Sequence, residues 1–254
     1  MITEKTQLNA VIGFPLAHSH SSTFHSEEYR RRGHDAVLLA FENEDLVGLV
    51  HAIHTLKISL TAVTLPFKEA ILPFLNDVDR LARRLQSVNT VIQKDGKLMG
   101  FNTDYIGIEK ALEGVALADK TVLLLGAGGV AKPAAAFVTD SGAKLLCMNR
   151  NPVRATELVR DFGGRMVEDL TNETFDIIIN ATPVGLTPNE AETPLEAQLL
   201  RPEHLVFDIV YNPEETRLLR EAKAIGAQTR SGLTMFKAQA LEQIRLWETL
   251  VLNS

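Results

Sequence analysis

The sequence has 254 residues, of which 45% are hydrophobic and 23% are charged. This balance is ordinary for a folded protein with a core sufficient for one or two domains, and it excludes a disordered chain. The formal net charge of -6 excludes the overall basic charge that favours nucleic acid or an anionic membrane. A small molecule is the expected partner.

Cysteine and histidine spacing gives no sign of a disulfide or a metal. Cys147 is the only cysteine, so an internal disulfide is excluded and no CxxC pair predicts a zinc site. His18, His20 and His25 are close in sequence but fit no metal-binding spacing. We therefore expect no metal and interpret these residues as surface or loop histidines.

Hydropathy gives no sign of a membrane segment. The first residues carry no apolar segment, and the most apolar stretch, residues 122–138, is broken by Lys132 and several glycines. We therefore expect a cytoplasmic protein without membrane insertion.

In the first hundred residues, short apolar runs alternate with stretches of helical period. The predicted strands are residues 10–14, 36–41, 58–64 and 88–93. Between Leu46 and Leu56, apolar residues recur three and four positions apart, as in a helix packed on a sheet. The Asp95-Gly96 pair predicts a hairpin turn. The alternation is typical of βαβ units that form a mostly parallel sheet.

The same alternation restarts after a predicted helix at residues 106–112. The next predicted strands, with helices between them, are residues 120–125, 144–148, 175–180 and 205–210. A closing helix is predicted at residues 234–252, with Trp247 as a packing anchor. The sequence therefore predicts an α/β fold with two domains, of which the second is a doubly wound Rossmann-type domain.

A glycine turn lies between the apolar strand at residues 120–125 and the helix that follows. Gly126, Gly128 and Ala131 match the G-x-G-x-x-[G/A] pattern of dinucleotide-binding proteins. Gly126 would allow the tight turn, Gly128 a close approach to pyrophosphate, and Ala131 close packing of helix on strand. The helix N-terminus favours the phosphate.

The end of the next strand predicts which dinucleotide binds. NAD-binding domains usually carry an acidic residue there, but this sequence reads Met148-Asn149-Arg150-Asn151. Arg150 and Arg154 could instead bind a 2′-phosphate through bidentate hydrogen bonds, although they could also be solvated residues at a helix start. NADP is therefore predicted over NAD.

Polar residues in three segments at or near strand ends are candidates for a substrate site. Lys68 follows the strand at residues 58–64, Asn89 lies in the segment at residues 88–93, and Asp104 follows residues 100–103. Ligands commonly bind at strand ends of α/β sheets. A lysine beside a carboxylate could hydrogen-bond a reacting oxygen and transfer its proton, and either residue could be the formal base.

Together these segments resemble the shikimate dehydrogenase family along nearly the whole chain. Residues 13–21 are similar to the family's G-x-P-x-x-H-S-x-S loop, residues 63–68 to V-T-x-P-F-K, and residues 100–107 to G-x-N-T-D-x-x-G. Further matches are Asn89-Thr90, residues 126–129 with Asn149-Arg150, residues 180–185, residues 208–216, residues 232–235 and Gln239-Ala240.

The resemblance implies the roles of individual residues. Lys68 and Asp104 would be the catalytic pair. The implied substrate residues are Ser19, Ser21 and Tyr211 for the carboxylate, and Thr64, Lys68, Asn89, Asp104 and Gln239 for the ring hydroxyls. The implied NADP residues are Gly126, Ala127, Gly128, Gly129, Val130, Ala131, Asn149, Arg150, Arg154, Thr182, Val184, Gly232 and Met235.

The resemblance also implies the domains and the reaction. Residues 1–104 with 235–254 would bind substrate and carry catalysis, and residues 105–234 would bind NADP. The implied activity is the reversible reduction of 3-dehydroshikimate to shikimate in aromatic amino-acid and chorismate biosynthesis, by a monomer or homodimer.

The sequence departs from the family pattern mainly near the substrate segments. Ala62 replaces a usual Asn, Ser22 a proline, Ser26 an Asn, and Gln86-Ser87 a usual Gly-Ala. A paralogue that uses quinate or aminoshikimate therefore remains an alternative, as does a binding protein with little turnover.

Overall fold

The chain divides into two units. The computed structural model describes residues 2–16 and 19–253. The first unit comprises Met1–Thr103 with Gln239–Ser254, and the second unit comprises Asp104–Ala238. The first unit is therefore built from two separate stretches of the sequence, whereas the second is continuous.

The first unit combines a sheet with helices. Its strands are β1 (Gln7–Gly13), β2 (Ala36–Glu42), β3 (Leu60–Val63), β4 (Asp77–Val78), β5 (Thr90–Lys94) and β6 (Lys97–Phe101). Its helices are α1 (Ser21–Arg31), α2 (Leu46–Thr55), the short α3 (Phe67–Ala70) with a 3-10 turn at Leu72–Phe74, and α4 (Arg80–Leu85). Helix α2 begins where the Asp45 carboxylate accepts a hydrogen bond from Gly48 N at 2.9 Å.

The first sheet is mixed, in the order β2-β1-β3-β5-β6-β4. Strand β1 runs parallel to β2 and β3, but β5 runs antiparallel to both β3 and β6. The predicted hairpin is confirmed: Asp95 and Gly96 have φ of 50° and 74° between β5 and β6. The expectation of a mostly parallel sheet is confirmed, because three of its five strand pairings are parallel and only the two pairings of β5 are antiparallel.

The second unit contains a fully parallel sheet in the order β12-β11-β10-β7-β8-β9. Its strands are β7 (Thr121–Leu125), β8 (Lys144–Met148), β9 (Arg165–Met166), β10 (Ile177–Asn180), β11 (Leu205–Asp208) and β12 (Gln228–Ser231). Its helices are α5 (Asp104–Ala111), α6 (Ala131–Asp140), α7 (Pro152–Phe162) and α8 (Arg217–Ala224), with a 3-10 turn at Ala197–Leu199.

The carboxyl ends of β7, β10 and β11 lie at the same edge of the parallel sheet. The chain runs from β7 outward to β8 and β9, then returns to β10 on the other side of β7. The point between β7 and β10 is therefore the place where the strand order reverses, which is where open α/β sheets bind ligands. The predicted α/β fold with a doubly wound second domain is confirmed.

The last helix, α9 (Gly232–Trp247), is followed by a π-helical turn at Glu248–Leu252. Its later residues belong to the first unit, where Trp247 is buried beside Tyr29 and donates from Nε1 to Ser59 Oγ at 2.9 Å. Trp247 is thus the packing anchor that the apolar period predicts. No helix in the described part of the chain is long and apolar enough to cross a bilayer.

Candidate active site

Thr64 and Lys68 follow β3 in the first unit. Backbone hydrogen bonds hold this segment: Thr64 N donates to Ile12 O at 3.0 Å, and Lys68 O accepts from Val88 N at 2.7 Å. Glycine is required opposite Thr64, because a Cβ on Gly13 would lie 2.5 Å from Thr64 Cγ2. The β3 end therefore places Lys68 on the short helix α3, packed against the strand before it.

The two serines lie where the loop after β1 enters α1. Ser19 N donates to Leu16 O at 2.8 Å, and Ser19 Oγ accepts from Ser21 N at 3.3 Å. Ser21 is the first residue of α1 and is buried. Ala17 and His18 of this loop lie outside the described residues.

The Asn89 carboxamide is buried, and its neighbours fix its orientation. Its Oδ1 accepts from Thr103 N and from Thr90 Oγ1, each at 2.8 Å. Its Nδ2 donates to Thr103 Oγ1 at 2.9 Å and to Gln239 Oε1 at 3.3 Å. A backbone N–H can only donate, so Oδ1 must face Thr103 and Nδ2 must face Gln239. The structure therefore brings Asn89 and Gln239 together, although 150 positions separate them.

Asp104 and Tyr211 belong to the second unit. Asp104 follows Thr103 directly, begins α5 and is 3% exposed. Tyr211 follows β11 and stacks on Phe236, with ring centroids 4.6 Å apart. The predicted substrate residues are therefore divided between the units, with Ser19, Ser21, Thr64, Lys68, Asn89 and Gln239 in the first unit.

The glycine turn after β7 has the form that the motif predicts. Gly126 has a φ of 106°, and a Cβ there would lie 3.0 Å from Ala181 O. A Cβ on Gly128 would instead meet no atom of the described residues within 4 Å. Helix α6 then begins at the buried Ala131, whose N donates to Gly128 O at 2.9 Å. Gly126 is needed for the turn itself, whereas Gly128 borders open space beside a helix N-terminus.

The same turn contains Ala127, Gly129 and Val130. Ala127 is buried in the core of the second unit. At the end of β8, Asn151 caps α7 by accepting from Val153 N at 3.0 Å. Arg150 and Arg154, on either side of this cap, are exposed. Asn149 Nδ2 donates to Asn151 O at 2.9 Å. Two guanidinium groups thus flank the start of α7.

Hydrogen bonds that begin at the buried Asn180 side chain hold the loop after β10. Asn180 Oδ1 accepts from Thr182 N at 3.0 Å and from Thr182 Oγ1 at 2.7 Å. Thr182 Oγ1 in turn accepts from Val184 N at 3.2 Å. Asn180 Nδ2 donates to Asp208 Oδ1 at 2.9 Å. Thr182 and Val184 are therefore positioned by Asn180 and, through it, by the neighbouring strand β11.

The Asp208 carboxylate is the buried acceptor of this network. It also accepts from Val210 N at 3.0 Å and from Thr216 Oγ1 at 2.6 Å. Burial raises the pKa of Asp208 to about 6, although the three donors oppose that change. The loop conformation is thus linked to one carboxyl group that titrates above its ordinary range.

Gly232 and Met235 lie in the first turn of α9. A Cβ on Gly232 would lie 2.1 Å from Ile209 O, so the helix start packs directly on the backbone after β11. Met235 is buried in the same core cluster as Ala127 and Ala181. Both residues therefore lie in the part of the second unit that holds the glycine turn.

His25 and Gln243 lie near Asn89, and the sequence analysis assigned no role in the site to either residue. The expectation of a surface or loop histidine is wrong for His25, which is fully buried on α1. Its Nε2 lies 3.0 Å from Gln243 Oε1, and burial lowers its pKa to about 4. The sequence did contain a signal for Gln243: it follows Gln239 by four residues, and residues four apart lie on the same face of a helix.

Within residues 2–16 and 19–253, no group of three or more His, Cys, Asp or Glu side chains is arranged to hold a metal ion. The predicted substrate residues carry hydroxyl, carboxamide, ammonium and carboxylate groups instead. Each of these groups can form hydrogen bonds.

Two family models match the chain. Residues 11–91 match the one described as the shikimate dehydrogenase substrate binding domain, and residues 108–213 match the one described as shikimate / quinate 5-dehydrogenase. The resemblance seen in the sequence motifs is confirmed.

Similar proteins match over almost the whole chain. A shikimate dehydrogenase (NADP(+)) from Pyrococcus abyssi is 40% identical, covering 93% of this chain and 90% of that protein. The solved shikimate dehydrogenase of Aquifex aeolicus is 36% identical, with a TM-score of 0.92 over 98% of this chain and 95% of that chain. The shikimate 5-dehydrogenase of Thermus thermophilus, solved with NADP(H) and shikimate, is 37% identical, with a TM-score of 0.88 over 96% and 94%.

The raised pKa of Asp208 predicts a pH-dependent effect of Asp208→Asn. The folded pKa of about 6 exceeds the ordinary value of 3.8, so the folded state binds this proton more tightly than the unfolded state. Its contribution to stability is therefore complete below about pH 4 and lost as pH rises through about 6. The free energy of unfolding of Asp208→Asn, relative to the native protein, should rise over this range by at most on the order of 3 kcal/mol.

Urea denaturation followed by circular dichroism at pH 4.5, 5.5 and 7 measures this difference. Asp176→Asn is the control, because hydrogen bonding from Thr121 N lowers the pKa of Asp176. The contribution of Asp176 to stability is present above its ordinary pKa of 3.8 and is lost only as the pH falls below that value, which lies outside the measured pH range. A pH-independent difference for Asp208→Asn would contradict the prediction.

Proposed function

This chain belongs to the shikimate dehydrogenase family, and we propose that it catalyses the reversible, NADP-dependent reduction of 3-dehydroshikimate to shikimate. The observation that carries the proposal is the buried Asn89 carboxamide, with Gln239 beside it. Its fixed donors and acceptors suit a ring with several hydroxyls. The reaction is a step of chorismate and aromatic amino-acid biosynthesis, and we place it in the cytoplasm.

The substrate residues have complementary chemistry. Ser19 and Ser21 supply hydroxyl donors for the substrate carboxylate, and Tyr211 supplies a third. Thr64, Lys68, Asn89, Asp104 and Gln239 are the proposed partners of the ring oxygens. We assign residues 1–104 with 235–254 to substrate binding and catalysis, and residues 105–234 to NADP binding.

Lys68 and Asp104 are the proposed catalytic residues. When bound, NADPH supplies the hydride that reduces the ring carbonyl group. As charge develops on the carbonyl oxygen, the Lys68 ammonium group stabilises it and donates a proton. The Asp104 carboxylate accepts a hydrogen bond from a ring hydroxyl and orients it. In the reverse direction the substrate hydroxyl loses its proton to this pair of residues.

The residues of the second unit fit NADP. The open space at Gly128 and the N-terminus of α6 suit the pyrophosphate. Exposed Arg150 and Arg154 suit the 2′-phosphate. The other proposed contacts are Gly126, Ala127, Gly129, Val130, Ala131 and Asn149 on the nucleotide side, and Thr182, Val184, Gly232 and Met235 on the nicotinamide side.

A second candidate substrate is quinate or aminoshikimate. The observation that favours it is the departure from the family pattern near the substrate residues: Ala62 is buried on β3, and the Ser22 Oγ is buried with no hydrogen-bond partner among the described residues. Gln86 adopts the left-handed conformation, with a φ of 48°. A glycine, which is usual near this position in the family, accommodates that conformation without strain.

Absorbance of NADPH during turnover tests the function. The purified protein is assayed with 3-dehydroshikimate and NADPH, with 3-dehydroshikimate and NADH, and with quinate and NADP in reverse. Rapid oxidation of NADPH by 3-dehydroshikimate is expected. Turnover only with quinate would support the second candidate, and NADPH binding without turnover would support a binding protein. Light scattering during size-exclusion chromatography tests the proposed monomer or homodimer.

Lys68→Ala should lower kcat at least a hundredfold, because the proton donor to the reacting oxygen is lost. NADPH affinity, measured by fluorescence titration, should stay within twofold. Lys97→Ala is the control, since Lys97 is an exposed lysine at the start of β6. Unchanged turnover of Lys68→Ala would remove Lys68 from the mechanism.

Gly128→Ala should weaken NADPH binding about tenfold or more while leaving the melting temperature unchanged or slightly higher. A Cβ at this position meets no atom of the described residues, so it occupies only the space proposed for the pyrophosphate. Gly126→Ala should behave differently, because its φ of 106° and the nearby Ala181 O make any side chain there destabilising. Normal NADPH affinity in Gly128→Ala would exclude this turn as the pyrophosphate site.

Replacing Arg150 and Arg154 together with Ala should raise the KM for NADPH between ten- and a hundredfold, because charge-assisted hydrogen bonds to the 2′-phosphate are lost. The KM for NADH should change much less, since NADH lacks that phosphate. Arg160→Ala is the matched control, because Arg160 lies in the last turn of α7 and pairs with Asp161. Equal effects on both cofactors would contradict the assignment.

A further inference from the structure

Gln243 joins three parts of the first unit through its buried side chain. It lies on α9 and is 2% exposed. Its Nε2 donates to Asn89 O and to Thr90 Oγ1, each at 3.0 Å. Its Oε1 lies 3.0 Å from His25 Nε2 on α1. One carboxamide thus contacts α1 and the start of β5 from α9.

The orientation of the Gln243 carboxamide is fixed by its partners. Asn89 O is a carbonyl oxygen and can only accept, so the amide nitrogen of Gln243 must face it. Oε1 then faces His25 Nε2 at 3.0 Å. The Nδ1 of that ring lies 2.9 Å from the carbonyl oxygen of Ser21, so each ring nitrogen faces an oxygen acceptor.

The hydrogen bonds from Gln243 to Gln239 run in one direction. Gln243 Oε1 lies 3.0 Å from His25 Nε2, and Gln243 Nε2 donates to Thr90 Oγ1. Thr90 Oγ1 donates to Asn89 Oδ1 at 2.8 Å, and Asn89 Nδ2 donates to Gln239 Oε1 at 3.3 Å. Gln243 therefore holds Asn89 twice, directly at its backbone oxygen and indirectly at its side-chain oxygen.

We propose that Gln243 is a positioning residue for substrate binding, which holds the Asn89 carboxamide in the orientation that receives a ring hydroxyl. The proposal rests on the proposed function for the identity of the ligand. Gln243 itself does not touch the substrate, because its polar atoms are already used by His25, Asn89 and Thr90. It acts by stabilising the side-chain amide of Asn89 against a flip, which would interchange the positions of Nδ2 and Oδ1.

Gln243→Leu tests the proposal, because leucine has a similar volume but cannot make these hydrogen bonds. Shikimate affinity, measured by calorimetry without cofactor, should fall about tenfold, which is the factor expected for one or two hydrogen bonds. The KM for NADP should stay within twofold. Ile244→Ala is the matched control, since Ile244 is the next residue of α9, fully buried and apolar. It should lower the melting temperature without weakening shikimate binding.

A double-mutant comparison separates positioning from a general loss of structure. In an Asn89→Ala protein, Gln243→Leu should reduce kcat/KM for shikimate by less than twofold, because the group that it positions is already absent. Wild-type affinity in Gln243→Leu alone would overturn the proposal. An equal loss in both backgrounds would also overturn it, since Gln243 would then act independently of Asn89.

Nuclear magnetic resonance tests the effect of Gln243 on Asn89 without any ligand. The side-chain amide signals of Asn89, identified by their loss in Asn89→Ala, should shift in Gln243→Leu and stay in place in Ile244→Ala. If the native protein neither binds nor turns over shikimate, the proposed function fails, whereas these signals still decide the role of Gln243. Unshifted Asn89 signals in Gln243→Leu would exclude positioning.

Discussion

The first unit depends on the requirement that buried polar groups find hydrogen-bond partners. Leaving a buried donor or acceptor unpaired costs about 1 to 3 kcal/mol. Asn89 meets this requirement only in one orientation, with Oδ1 toward Thr103 N and Nδ2 toward Gln239. The strand start at Thr90, the end of β6 and helix α9 must therefore meet around it. The site proposed for a polar ring is therefore built from the same hydrogen bonds that stabilise the unit.

The second unit uses a buried asparagine in a similar way. Asn180 ends β10, accepts from Thr182 and donates to Asp208 on the neighbouring strand. Its loop is therefore held by a side chain as well as by backbone hydrogen bonds, such as the one from Leu186 N to Pro183 O. The glycine turn after β7 lies at the same edge of the sheet, because β7 and β10 are adjacent and parallel. Both proposed binding regions thus rest on oriented carboxamides or backbone N–H groups, which need little rearrangement when a ligand arrives.

The sequence predicts the regular parts of this structure well, for a physical reason. A buried parallel strand is a continuous apolar run, and β8 has the predicted bounds of Lys144–Met148. Strand β12 reads Gln-Thr-Arg-Ser and was not predicted, because an edge strand can form without an apolar run. The glycine turn and the strand-end positions of Lys68 and Asp104 follow from local patterns. The roles of His25 and Gln243 do not, since they come from pairing across 218 positions of the chain.

The first unit is built from two stretches of the sequence, so its two parts are synthesised at different times. Its sheet is synthesised before the second unit, whereas Gln239, Gln243 and Trp247 are synthesised after it. Until then, the carboxamide of Asn89 and the apolar face around Tyr29 lack their partners from α9. The second unit is continuous and can complete its fold while the chain is still growing. The second unit can therefore finish folding first, and the part of the first unit that precedes it must stay unaggregated until α9 has been synthesised.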